Sequence, residues 1–189
     1  MRLPDGNIGG QGFPDSGGPS LYKLSNGTIP EIPTVADAGQ DSLAASTTYS
    51  KAELVATLQE MMTQFNPSKI RLQNYATPIV VSDHADHLYG AQLALDASTA
   101  FAAANGLDVS SLVTGFRGYD VIRYPQNLDG APLSLKTSAM KSYAPYDNHR
   151  LCEDRDCSGF GEDGFGGDWF GYPRWISREY RLGDPTNET

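Results

Sequence analysis

The sequence predicts a small α+β fold: a core with two main helices and a short sheet, flanked by an extended N-terminal arm and a Gly- and aromatic-rich C-terminal tail. Three observations carry that expectation. A capped run with helical spacing of apolar residues follows Ser50, a longer one runs from about residue 83 to 105, and short apolar or alternating runs lie on either side of it. Outside 49–141 the periodicity disappears. Residues 1–48 are therefore expected as an arm, 49–141 as the α+β core, and 142–189 as a tail with an acidic loop and a short basic helix.

Up to Pro33 the arm meets Gly or Pro every few residues, and Leu3, Ile8, Phe13, Leu21 and Tyr22 follow neither period. Such a segment does not bury enough apolar surface to offset its own ordering entropy. It is expected to be held by a neighbouring subunit.

The core opens at Ser50, where Ser50-Lys-Ala-Glu53 is a capping box. Leu54, Leu58, Met61, Met62 and Phe65 then mark one helix face, expected in the core, and Asn66-Pro67 stops the helix. Ile70–Tyr75 and Ile79–Val81 read as short strands. Ser82 is expected to open the longest helix, about 83–105, apolar on two faces. Leu88, Ala91, Leu95 and Ala102 form one face, and Leu93, Ala97, Ala100 and Ala104 the other. Asn105-Gly106 supplies a left-handed stop. Leu112-Val113, Tyr119–Tyr124 and Leu133–Lys136 are expected as strands, so that strand, helix and strand make a βαβ-like or α+β arrangement.

Composition narrows the function. With 23 acidic against 14 basic residues the formal charge is −9, which opposes nucleic acid and anionic membrane as partners. The first residues lack the apolar core of a secretory signal, and no run approaches a membrane span of roughly 18 apolar residues. Cys152 and Cys157 are the two cysteines, and their oxidation state is open between a small disulfide and, with His149, an incomplete zinc set.

Two constellations bear chemistry. Ser82-Asp83-His84-Ala85-Asp86-His87 resembles the metal-binding turn of the metallo-β-lactamase family, H-x-H-x-D-H after an apolar strand. The resemblance covers six residues and implies His84 as ligand to one metal and Asp86 and His87 as ligands to a second. It departs from the family at Ser82, which replaces the first histidine, and at the downstream histidines, of which only His149 remains. A simpler arrangement has His84 and His87 sharing one ion with Asp83 or His149. The alternative without metal is that Asp83 and Asp86 sit there because a helix N-terminus favours anions.

Asp154-Arg-Asp156-Cys-Ser158-Gly159-Phe160-Gly-Glu162 matches the first half of a calcium loop. Asp154, Asp156, Ser158, the Phe160 carbonyl and Glu162 would be the oxygen ligands and Ca2+ the ion. Phe165 stands where the last, bidentate Glu belongs.

In the tail, residues 147–168 carry seven acids against two bases, and Arg174, Arg178 and Arg181 are expected on one short helix opened by Pro173. With Trp169, Phe170, Tyr172 and Trp175 they form the expected interface, the acidic loop of one subunit meeting the basic helix of the next or of its own chain. The leading expectation is a non-enzymatic structural subunit of a larger assembly, such as a virus particle, tail or filament, whose partners are other protein subunits. The alternatives are a calcium-binding module at 154–163 and a small metal-dependent hydrolase around His84 and His87.

Overall fold

A computed structural model describes residue 3 and residues 18–34, 47–76, 83–143 and 173–183, the side chains of 173 and 174 excepted. The chain is α+β and divides into two compact units, Met1–Gly118 and Tyr119–Thr189.

In the first unit, helix α1 (Leu21–Ser25) starts at Ser20, whose Oγ accepts from Lys23 N. Strand β1 (Glu31–Pro33) pairs antiparallel with β2 (Thr48–Ser50), placing Ile32 opposite Tyr49. Ile32 is 0% exposed and shares a cluster with Leu24, Leu54 and Leu93. The described part of the arm thus packs into the core of its own chain. The strand that pairs with it lies far along the sequence, which is why the arm shows no local period of its own.

Helix α2 (Lys51–Phe65) forms as the capping box predicts. Ser50 Oγ accepts from Glu53 N at 3.3 Å, and Glu53 Oε2 accepts from Ser50 N at 2.9 Å. It ends at Asn66, left-handed at φ 46° and followed by Pro67. The expected core stripe is only half realised. Leu54 is buried, but Met61 and Phe65 are exposed, Phe65 at 80%, because the last turn of α2 overhangs what the unit packs against it.

Strand β3 (Ile70–Leu72) leads toward helix α3 (Ala85–Ala104), and short helix α4 (Val109–Leu112) leads into β4 (Val113–Gly115). β3 and β4 pair in parallel, Ile70 with Val113 and Leu72 with Gly115, which completes the expected βαβ-like unit. Helix α3 ends in a Schellman motif: Gly106 has φ 65°, Leu107 N donates to Ala102 O at 2.8 Å, and Gly106 N donates to Ala103 O at 3.3 Å. Both of its predicted faces are used. Leu93 enters the cluster with Ile32, while Phe101 and Ala102 join Leu112 and Val113, with Met62, Ile70 and Leu72 packed around them. The expected strand at 79–81 lies outside the described residues.

The second unit overturns two expected strands. Tyr119–Arg123 is a 3₁₀ helix, and Leu133–Lys136 lies within helix α5 (Gly130–Tyr143). The residues after the 3₁₀ helix are held by a segment from the far end of the chain that begins with helix α6 (Pro173–Ile176). Asn127 N and Leu128 N both donate to Ser177 O at 3.1 Å. Asn127 Nδ2 donates to Glu179 O at 2.6 Å and Asn127 Oδ1 accepts from Glu179 N at 2.8 Å. Tyr180 Oη donates to Pro125 O, and Trp175 Nε1 donates to Tyr119 O. Lys136 Nζ donates to Arg178 O at 2.7 Å and joins α5 to this base. Its partial burial pushes the ammonium below the usual lysine range, with Glu179 pulling the other way.

Ile32→Ala is expected to lower stability by about 2–5 kcal/mol in urea unfolding followed by circular dichroism. Ser50→Ala should cost about 1 kcal/mol in the same measurement. An unchanged midpoint for the Ile32 variant would place the arm outside the cooperative core.

Candidate functional site

The cluster at the start of α3 is built by the turn that begins the helix. The cap is His84 rather than Ser82, which lies outside the described residues: His84 Nδ1 accepts from Asp86 N at 3.2 Å. A ring nitrogen that accepts carries no proton, so neutral His84 holds its hydrogen on Nε2. Asp83, one residue earlier, turns inward. Its side chain is 2% exposed, and Oδ1 accepts from His84 N at 2.8 Å and from His87 Nδ1 at 2.7 Å. A buried carboxylate requires such donors. His87 must therefore donate through Nδ1, the tautomer opposite to that of neutral His84.

Gly118 closes the carboxylate from the other side. A Cβ at that position would overlap Asp83 Oδ2, so the backbone beyond β4 approaches the carboxylate as only glycine permits. The cluster thus lies where the chain leaves the carboxyl ends of two parallel strands and a helix begins, a common seat for sites in sheets with helical crossovers.

What this geometry supplies is an oriented imidazole. Asp83 fixes the ring of His87 and its tautomer, which is the orienting half of a general-base arrangement. The residues of the expected metal turn take these positions. His84 Nδ1 caps the helix, the rings of His84 and His87 stand 5.5 Å apart centre to centre, and Asp83 Oδ1 binds two N–H groups rather than completing an ion's shell. Among the described residues no group of three or more His, Cys, Asp or Glu is arranged to hold a metal ion. Asp86 sits in the first turn of α3, where the helix dipole favours an anion.

The other residues named from the sequence divide in two. Asp154, Asp156, Ser158, Phe160 and Glu162, together with Cys152, Cys157, His149, Trp169, Phe170 and Tyr172, lie outside the described residues, as does the side chain of Arg174. Trp175, Arg178 and Arg181 are described and do not form the expected basic ridge. Helix α6 stops at Ile176, and Arg178 Nε donates to Tyr124 O at 2.6 Å, so that this guanidinium serves the fold of its own unit.

Sequence reasoning missed the surface of α5. Ala131, Pro132, Ser134, Leu135, Ser138, Ala139, Ser142 and Tyr143 are all exposed. At 3.6 residues per turn they cover roughly half the helix circumference without a charge. Its serines add little polarity, because Ser134, Ser138 and Ser142 donate to the carbonyls of Gly130, Ser134 and Ser138 at 2.9, 2.9 and 3.0 Å. The signal was present in the four-residue spacing of Ala131, Leu135, Ala139 and Tyr143, hidden by the strand-like alternation of Leu133-Ser-Leu135-Lys.

No protein-family model, curated protein or solved structure matches the chain.

Long-range ¹H–¹⁵N NMR above the histidine titration range should show His87 as the Nδ1–H tautomer and His84 as Nε2–H. In Asp83→Asn the His87 preference should weaken. Gly118→Ala should destabilise the protein by about 1–3 kcal/mol as the backbone yields to the new Cβ.

Proposed function

We propose that the protein is a non-enzymatic structural subunit that assembles with other protein subunits, copies of itself included, through helix α5. The observation that carries this reading is that α5, 14 residues long, contains no buried residue and leaves Leu135 74% exposed. A helix of that length is marginal in water by itself, and most helical stability in proteins comes from burying one face. An arc of this size without charge is the composition of an interface centre, which is depleted in charged side chains. The overhanging end of α2, with Met61 and Phe65 exposed, offers a second apolar contact on the first unit.

Protein is the partner that the charge of the chain favours. A formal charge of −9 repels phosphate backbones and anionic lipid alike. Among the described residues no helix is long and apolar enough to cross a membrane. The Asp83–His87 pair fits this reading as a fastening of the α3 start, since Asp83 Oδ1 accepts from His84 N and His87 Nδ1 on the turn that begins the helix.

Light scattering coupled to size exclusion tests the proposal. The wild type should exceed the monomer mass of 20.4 kDa, and Leu135→Glu should return it to the monomer with the circular dichroism spectrum of the wild type, because Leu135 has no buried contact to lose within one chain. A wild type that stays monomeric between about 1 and 100 µM would overturn it.

A further inference from the structure

The uncharged arc of α5 is exposed, and the chain carries a segment of matching chemistry. Helix α5 bears two charged residues, Lys136 and Lys141, both positive. Between α5 and α6 the sequence places seven acids against two bases over 147–168, followed or interleaved by Phe160, Phe165, Trp169, Phe170 and Tyr172. The arginine ridge expected to receive that segment is not formed, because Arg178 is bonded to the Tyr124 carbonyl and α6 ends before it. Among the described residues of this unit, α5 presents an uncharged arc flanked by two positive side chains. Among the described residues nothing covers it, with Leu135 74% exposed.

We propose, resting on the assembly reading above, that the acidic aromatic segment 147–172 of one copy docks on α5 of a second copy. The aromatic side chains supply the buried area and the anchors, against Leu135, Ala139 and Tyr143. The acids set orientation and rate of encounter against the two lysines. The segment leaves from the C-terminal end of α5 and returns at Pro173, so each copy carries donor and acceptor on the same unit. Two different surfaces meet, and the contact is therefore heterologous: repeated, it closes into a ring or continues as a filament.

Complementation between variants of the full chain tests this. Leu135→Glu removes the acceptor and keeps the donor, while the double variant Trp169→Ser/Phe170→Ser removes the donor and keeps the acceptor. The wild type should associate, each variant alone should be monomeric, and an equimolar mixture should form a dimer and nothing larger, since it holds one intact pair of surfaces. Raising salt from about 50 to about 500 mM should weaken the wild-type association about tenfold or more. Circular dichroism matching the wild type verifies the fold of each variant, and Ala139→Glu replaces Leu135→Glu if that variant fails it.

If the donor variant still assembles while the acceptor variant does not, α5 binds a different surface. This inference then falls and the assembly reading stands. A mixture that stays monomeric beside an associating wild type also overturns it. A monomeric wild type removes both.

Discussion

The first unit depends on one constraint: α3 is apolar over more than half of its circumference and must be covered from two directions. Phe101, Leu88 and Leu93 are almost fully buried, and burial of each such side chain is worth about 1.5–3 kcal/mol. One cover is α2 together with the arm, which brings Leu54, Leu24 and Ile32 to Leu93. The other is the parallel pair β3 and β4 with α4, which brings Val113 and Leu112 to Phe101 and Ala102. Small residues at Ala91, Ala97 and Ala102 let those elements approach the helix closely. The arm and the sheet, so different in sequence, do the same physical work on opposite sides of one helix.

The His and Asp residues at the start of α3 follow from that constraint. A helix with so much buried surface has to begin at a defined place, and its first N–H groups need acceptors. His84 meets one of them through its ring, and Asp83 braces both the turn and His87 from the interior. Gly118 is where the chain returning from β4 has to pass the same carboxylate. The stretch that resembles a metal turn in sequence also fastens the helix end in space and orients an imidazole.

What could be read from the sequence was what is local. The Ser50–Glu53 box, the Asn66-Pro67 stop, the two apolar faces of α3 and the left-handed Gly106 each depend on residues a turn apart, and each is found in the structure. Tyr119–Tyr124 was misread because alternating Tyr, Val and Ile favour a strand. There the backbone is fixed instead by Trp175, Arg178 and Tyr180, some fifty residues further on, and a single sequence does not reveal those partners. The same reason hid the burial of Ile32, whose partner Tyr49 lies across a strand pair, and the approach of Gly118 to Asp83. Leu133–Lys136 failed differently: Pro132, tolerated in the first turn of a helix, and the serines at four-residue intervals were local signals outweighed by a short alternation.

The two units differ in what holds them, and that difference bears on function. The first is held by apolar clusters that exclude water. The described part of the second is held mainly by hydrogen bonds to backbone, from Asn127, Lys136, Trp175, Arg178 and Tyr180, with Val121, Ile176 and Tyr180 as its buried apolar or aromatic residues. Such bonds fix position well, but each contributes only about 0.5–1.5 kcal/mol net. A base of this kind positions α5 without burying it, through the bond from Lys136 Nζ to Arg178 O. A helix exposed along half its surface is stabilised further by whatever covers that half. Under the assembly reading, association and ordering of α5 would be linked: a partner that covered the helix would also strengthen it, and part of the stability would come from the assembly rather than from the single chain.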